Sequence, residues 1–456
     1  MLKLFKSPDL LFKYLTAAIV LAIPLYPKFP FIRIPGVQVS IRLEDFLLVG
    51  LTLALAIYLA PKIKQVFSHK LERAIFVYLA VGLVSLLSGV ILTKTVIPQV
   101  GFLHWARRIE YFVPFFLGIV AVRKKENLEF HIKIIMLTLF VIFIYGLGQR
   151  YLAWPIIITQ NVEYSKGIAL RWIQGGHINS TFAGHYDLAT FLVLILPTLI
   201  CLIAVLKNLK TKIVLSVLVL GGLWLLSAAV SRISIVSYLM ATSLALILLR
   251  KYKMLIAALA VSVVLFSFSS DLAARYGRVI DVFIKGIGQQ TLLSNPSSFE
   301  VFAQGEVGEP RTRQTPTPTP PPVFEDRSSS IRLNVEWPRA VRALAKNPLL
   351  GTGYSSITLA TDNDYLRALG EVGILGFTAF TLIFVRIGRL VVNKMKRLRQ
   401  LDSVQAAFVA GVAGSLVGVF VNALFIDVFE ASKFAIIFWL LMGLLIGILT
   451  KRRYVG

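Results

Sequence analysis

Three arginines, Arg171, Arg232 and Arg332, lie in connections on one side of a series of apolar runs, and Arg232 sits with Ser231 in the shortest of these turns. Guanidinium is planar, stays protonated at physiological pH and gives a phosphate two parallel charge-assisted hydrogen bonds. Several such groups together bind a diphosphate and offset the charge that builds on a leaving phosphate. Removing a proton from a hydroxyl needs a base, and the candidates on the same side are Asp362, Asp364, Glu371, His177 and His185. Histidine is ordinarily the better tuned near neutrality. A carboxylate serves where its surroundings raise its pKa, and neighbouring arginines oppose this. Asp364 also reads as a helix cap, and His185, two residues before Asp187, as a polar group at the mouth of a span. Arg107, Arg108 and Glu110 form a further charged group, readable as substrate contacts or as interfacial side chains with a local Arg and Glu pair. The sequence contains no Cys and His cluster with metal-ligand spacing and no Gly-x-x-x-x-Gly-Lys-Ser/Thr phosphate loop, so neither a metal nor a cofactor is expected.

The elements that carry these residues are membrane spans. The chain has 456 residues, of which 57% are hydrophobic and only 16% charged, and its mean hydropathy is +0.76. About a quarter of a soluble protein is charged. Apolar runs long enough for a helical span centre on 10–26, 43–60, 74–93, 102–122, 132–147, 188–206, 213–230, 233–249, 254–268, 372–392, 404–424 and 434–449. The expected fold is all-α: a single polytopic membrane domain over 1–456 with about twelve transmembrane helices. The first run is followed by Pro24 and Pro27 with no small-residue cleavage site, so it reads as a retained span. The single cysteine, Cys201, lies inside an apolar run.

Forty-eight Lys and Arg against twenty-three Asp and Glu give a net charge of +25, which in a soluble protein would point to nucleic acid. Here the basic residues cluster in alternate short gaps, among them Lys62, Lys64 and Lys70, Lys207, Lys210 and Lys212, and Arg250, Lys251 and Lys253. That pattern orients spans and meets anionic headgroups, so lipid rather than nucleic acid is the expected partner. With an even number of spans, both termini read as cytoplasmic. Two outer segments are long, 149–187 and 269–371, and the second exceeds the length of an ordinary connector. Within it, 271–287 has helical periodicity, 315–322 reads TPTPTPPP and is expected to be an extended spacer, and 331–346 can form an amphipathic helix stopped by Asn347-Pro348. Gly351-Thr352-Gly353-Tyr354 then makes a turn ahead of Thr361-Asp362-Asn363-Asp364-Tyr365-Leu366. Gly414-x-x-x-Gly418 permits close helix packing, most simply within the chain.

Four stretches resemble the O-antigen ligase and polymerase superfamily of bacterial membrane enzymes: HINSTFAGHYDLA at 177–189, Ser231-Arg232, Arg332 with Trp337 and NPLLGTGY, and DNDYLRALGEVGILG at 362–376. The resemblance implies transfer or polymerisation of glycan from an undecaprenyl diphosphate-linked oligosaccharide donor at the outer face of the bacterial inner membrane. It implies a metal-independent glycosyltransferase, with a glycan or lipid-linked glycan as acceptor and a chain-length regulator as a candidate partner. By motif position Arg232 and Arg332 match the family's diphosphate-binding arginines, and Asp362 stands where ligases carry the histidine that activates the acceptor. With Arg332 and Arg232, Asp362 is expected to be catalytic, and Arg171, Arg107, Arg108, His185, His177, Asp364 and Glu371 to bind substrate. The aspartate form is more similar to the polymerase and exopolysaccharide branch than to lipid A core ligases, and His177 replaces an arginine common in the family. A lipid-linked oligosaccharide transporter or flippase, and a protein O-oligosaccharyltransferase of the same superfamily, are the alternative readings.

Overall fold

The structure, a computed structural model, describes residues 8–26, 30–33, 40–122, 125–156, 171–174, 176–267, 330–358, 360–394 and 400–450. The expected helix over 271–287 and the spacer over 315–322 lie outside these residues. Each apolar run folds as a helix, because a backbone in hydrocarbon must satisfy its own hydrogen bonds. In chain order the main helices are α1 (Pro8–Leu25), α2 (Leu43–Leu59), α3 (Lys70–Ile91), α4 (Pro98–Ala121), α5 (Lys125–Tyr151), α6 (His185–Val205), α7 (Leu209–Ala228), α8 (Arg232–Leu248) and α9 (Tyr252–Ser267). After them come the amphipathic α10 (Trp337–Lys346), then α11 (Asp364–Lys394), α12 (Ser403–Asn422) and α13 (Ser432–Thr450). Nine of the described helices are long and apolar enough to cross a membrane by length and composition. The others on apolar runs are α4, which carries Arg107, Arg108 and Glu110, and the shorter α8 and α9. The chain is therefore a polytopic, overwhelmingly helical membrane protein. One two-stranded antiparallel ribbon, β1 (Pro30–Arg33) with β2 (Ser40–Arg42), adds an element that the helical expectation did not include.

The α13 helix is buried along nearly its whole length and packs on α4, where Gly443 and Gly118 bring the two backbones together. The α12 helix lies on α6 and α8 in the same manner, with Gly414 and Gly418 against Ala241, Ala245 and the Ser237 carbonyl, so this glycine pair packs within the chain. Small residues allow such contacts where there is no hydrophobic drive between helices. Large apolar side chains such as Leu53, Ile57, Val217 and Ile256 are exposed on the outside of the bundle, as lipid-facing positions require.

A break in α11 shapes the end of the bundle that carries the motifs. Gly373 has φ 65° and ψ −172°, outside the helical region. The Gly370 and Glu371 carbonyls, which a continuous helix would use internally, accept instead from Thr352 N–H at 2.9 Å and Gly353 N–H at 2.8 Å. Past the break, Ile374 and Leu375 N–H donate to Pro348 and Leu349 carbonyls at 2.9 and 3.1 Å. The Gly-Thr-Gly turn thus plugs the broken helix. Ser85 of α3 locks both, its hydroxyl donating to the Leu350 and Glu371 carbonyls at 2.5 and 2.9 Å. The two glycine-rich strings noted in the sequence are two halves of one joint.

Candidate active site

Arg332 opens a five-residue π-helical turn, Arg332–Glu336, ahead of α10, with its carbonyl accepting from Trp337 N–H. Such wide turns recur at functional sites. Its Nε and Nη2 both donate to Asp362 Oδ2, at 3.0 and 2.7 Å. Asp362 has φ 50°, a left-handed conformation that aspartate tolerates better than most residues. The amides on either side hold it there: Thr361 N–H donates to Asp427 Oδ2 at 2.8 Å and Asn363 N–H to Asp427 Oδ1 at 3.1 Å. Burial pushes the Asp362 pKa up, and although Arg332 pulls it down, the net direction, aided by Asp427, is upward. Burial disfavours the charged form of Arg332, yet Asp362 and the Tyr186 phenol hold it above its ordinary value.

Asn363 and Asp364 serve the scaffold. Leu366 N–H donates to Asn363 Oδ1 at 3.0 Å, so Asn363 makes the capping bond considered for Asp364. The Asp364 carboxylate instead accepts from Val428 and Phe429 N–H at 2.7 and 3.2 Å, tying the start of α11 to the turn before α13.

The mouth of α6 contributes the histidines. His177 and His185 stack with centroids 4.1 Å apart, and Tyr186, within electrostatic reach of Arg332, lies against His185 at 4.1 Å. From Tyr186 a polar path runs to Arg232. Thr190 donates to the Tyr186 carbonyl at 2.8 Å, Asn422 donates to Thr190 at 2.8 Å, and Ser234 donates to Asn422 Oδ1 at 3.1 Å. Ser234 and Ser231 share a 2.8 Å hydrogen bond, and Arg232 follows Ser231 as the first residue of α8. Asp364 N–H donates to the carbonyl of Ala423, next to Asn422, at 2.9 Å. Arg232, Arg332, Asp362, His177 and His185 therefore share one end of the bundle. Arg171 is exposed beside Trp172, which packs beneath the Arg150 guanidinium, and among the described residues it forms no bond to the Arg332 and Asp362 pair.

Arg108 and Glu371 belong to a second cluster behind Asp427. Arg108 pairs with Glu430 and donates to the Phe429 carbonyl at 3.1 Å. Arg367 donates to Asp427 at 3.0 Å and lies 3.6 Å from both Glu371 and Glu430. Burial would raise the Glu430 pKa, but Arg108 and Arg367 lower it to about 2. The cavity among these groups, floored by Phe112, Phe380 and Trp439, has a volume of about 40 Å³. Each water needs about 10–15 Å³ on this measure, so the space suits a few waters and excludes a sugar. Arg107 turns elsewhere, within electrostatic reach of Glu110, Asp45 and Glu44. Sequence reasoning missed Arg367, Asp427, Glu430 and the fully buried Lys433, which donates to the Pro24 and Thr181 carbonyls at 3.1 and 2.7 Å. The available signal was the connector IDVFEASK at 426–433, three of whose residues are charged between two apolar runs. Among the described residues no three His, Cys, Asp or Glu side chains converge as a metal-binding group.

No curated protein matches the chain. Residues 217–381, the span that holds Arg232, Arg332, Asp362 and the interlocked glycine strings, match the family model described as O-antigen ligase, so this segment of the chain is similar to that family.

Proposed function

We propose that the protein is a metal-independent glycosyltransferase that polymerises glycan from an undecaprenyl diphosphate-linked donor, in preference to ligating it to lipid A core. The setting proposed is the bacterial inner membrane, crossed by about twelve helices with both termini cytoplasmic and with the segments 149–187 and 269–371 outside. The observation that carries the reading is the Arg332 and Asp362 pair, with both guanidinium-to-carboxylate bonds made to one oxygen, inside a family-matched segment that also holds Arg232.

In the proposed step the acceptor hydroxyl oxygen bonds to the anomeric carbon of the donor sugar, and the bond from that carbon to the diphosphate oxygen breaks. The electron pair leaves with the diphosphate, whose charge Arg232 and Arg332 neutralise, and the hydroxyl proton passes to Asp362. The geometry couples binding to basicity. A diphosphate that draws Arg332 away from Asp362 removes the interaction that lowers the carboxylate pKa, leaving a stronger base beside the acceptor. His177, His185 and Tyr186 line the approach and contact the sugars, while Arg108, Asp364 and Glu371 hold the loop that presents Asp362.

Purified full-length protein given lipid-linked oligosaccharide in detergent is expected to release longer glycan. Arg232→Ala and Arg332→Ala are each expected to lower the rate by about 100-fold or more, the effect of deleting one oxyanion donor, while eluting as the wild type does on gel filtration. Wild-type product lengths from both variants would remove the arginines from the mechanism, and vesicle transport without product would favour a carrier.

A further inference from the structure

The ends of α3 and α11 opposite the Arg332 and Asp362 pair enclose a basic groove. Its outer part has a volume of about 400 Å³ and is walled by Lys70, Arg386, Arg389 and Asn393. Its deeper part, about 300 Å³, is walled by Lys70, Arg73 and Arg386 over Ala74, Val77 and Leu382. The two parts share Lys70 and Arg386, so they adjoin along the same helix pair. Helical spacing explains the alignment: residues 70, 73 and 77 rise along one face of α3, and residues 382, 386, 389 and 393 along one face of α11. Cations ring the end nearest the helix termini, and apolar side chains lie a turn or two further toward the middle of the helices.

Four fixed cations crowd this groove, and no carboxylate lines either part of it. Glu72, the acidic residue in the first turn of α3, is fully buried and lines neither part. Among the described residues Lys70, Arg73, Arg386 and Arg389 form no ion pair, and Arg386 Nε is buried without a hydrogen-bond partner. Like charges gathered this closely call for an anion. The half-exposed Val77 and the Leu382 wall below call for hydrocarbon joined to it. Basic pockets between transmembrane helices meet both requirements with an anionic phospholipid.

We propose that the groove between α3 and α11 binds a phospholipid carrying two phosphates, of the cardiolipin type, with its phosphates between Lys70, Arg386 and Arg389 and an acyl chain along Ala74, Val77 and Leu382. The site is independent of the catalytic reading. It lies at the other end of the same two helices that form the glycine joint, and its occupancy braces α11.

Native mass spectrometry of the full-length protein in detergent tests this, with cardiolipin, phosphatidylcholine and inorganic pyrophosphate as probes. The wild type is expected to retain one cardiolipin at least tenfold more strongly than phosphatidylcholine and not to exchange it for pyrophosphate at equal concentration. Arg386→Gln with Arg389→Gln is expected to reduce retention at least tenfold, whereas Lys207→Gln with Lys210→Gln, which removes equal charge from another basic gap, leaves it unchanged. Arg389→Gln alone, at an exposed position, is expected to reduce it at least threefold and guards against misfolding of the double variant. Equal loss from both double variants, unchanged retention in Arg389→Gln, equal binding of phosphatidylcholine, or displacement by pyrophosphate would each overturn the proposal.

Discussion

Asp362 works against two constraints, a left-handed backbone and a guanidinium that prefers it ionised. Burial outweighs the guanidinium, so its pKa lies above the usual aspartate value. A base acts when deprotonated, so activity should fall as pH drops through this raised pKa, placing the acid limb above about 4, the ordinary aspartate value. Rates measured from pH 4 to 8 check this. Asp362→Asn should lose the activity, and Asp362→His should recover part of it with a limb near the histidine value of about 6.5. Asp427 fixes the neighbouring amides without reaching the reacting atoms in the proposed step. Asp427→Ala should lower kcat by about 10–100-fold through mispositioning while the donor KM moves less than about twofold. Asp427→Asn, which keeps one acceptor oxygen, should recover part of kcat; a change confined to KM would argue for direct substrate contact. Arg332 and Asp362 stood out as candidates in the sequence because their motifs are local. Asp427 did not, because its role is to accept backbone N–H bonds from residues 64 and 66 positions away.

At the scale of elements, the joint between the 347–356 segment and the broken α11 is the feature on which the loop depends. A Cβ on Gly373 would meet the Leu349 carbonyl and Gly351 N, and its φ of 65° with ψ of −172°, a region essentially confined to glycine, adds a cost of about 1–3 kcal/mol for any other L-residue. Gly373→Ala should therefore lower the thermal midpoint by several degrees and reduce activity, whereas Gly388→Ala, on the same helix with open space around its Cβ position, should be neutral. Thermal unfolding of the two purified variants makes the comparison, and equal midpoints would remove the joint from the account. Hydropathy began this run at Val372 because charged and polar residues precede it. The helix itself starts at Asp364, and its first turns bear Glu371 and Arg367, which lie 3.6 Å apart, Arg367 also pairing with Asp427 of the α12–α13 connector. Periodicity located the helix; the origin of its polar first turns lay in another part of the chain.

For the whole molecule, the opposed positions of the Arg332 and Asp362 pair and the basic groove turn orientation into a measurable property. Cys201 is fully buried, so single introduced cysteines report against a silent background. A membrane-impermeant maleimide applied to intact cells should label Lys346→Cys, beside the proposed outer site, and spare Lys210→Cys until the membrane is opened. The reverse pattern would invert the topology and with it the proposed side of glycan assembly. Membrane residence and the positions of the apolar helices followed from the chain alone, because the free energy of placing a segment in lipid depends chiefly on that segment's own composition. Which helices meet, and which charges neutralise one another, could not be read in that way. Arg108 and Glu430 are 322 positions apart, yet they pair because α4 and α13 pack through glycine. A buried charge is tolerated only beside its partner, and long-range packing brings the two together.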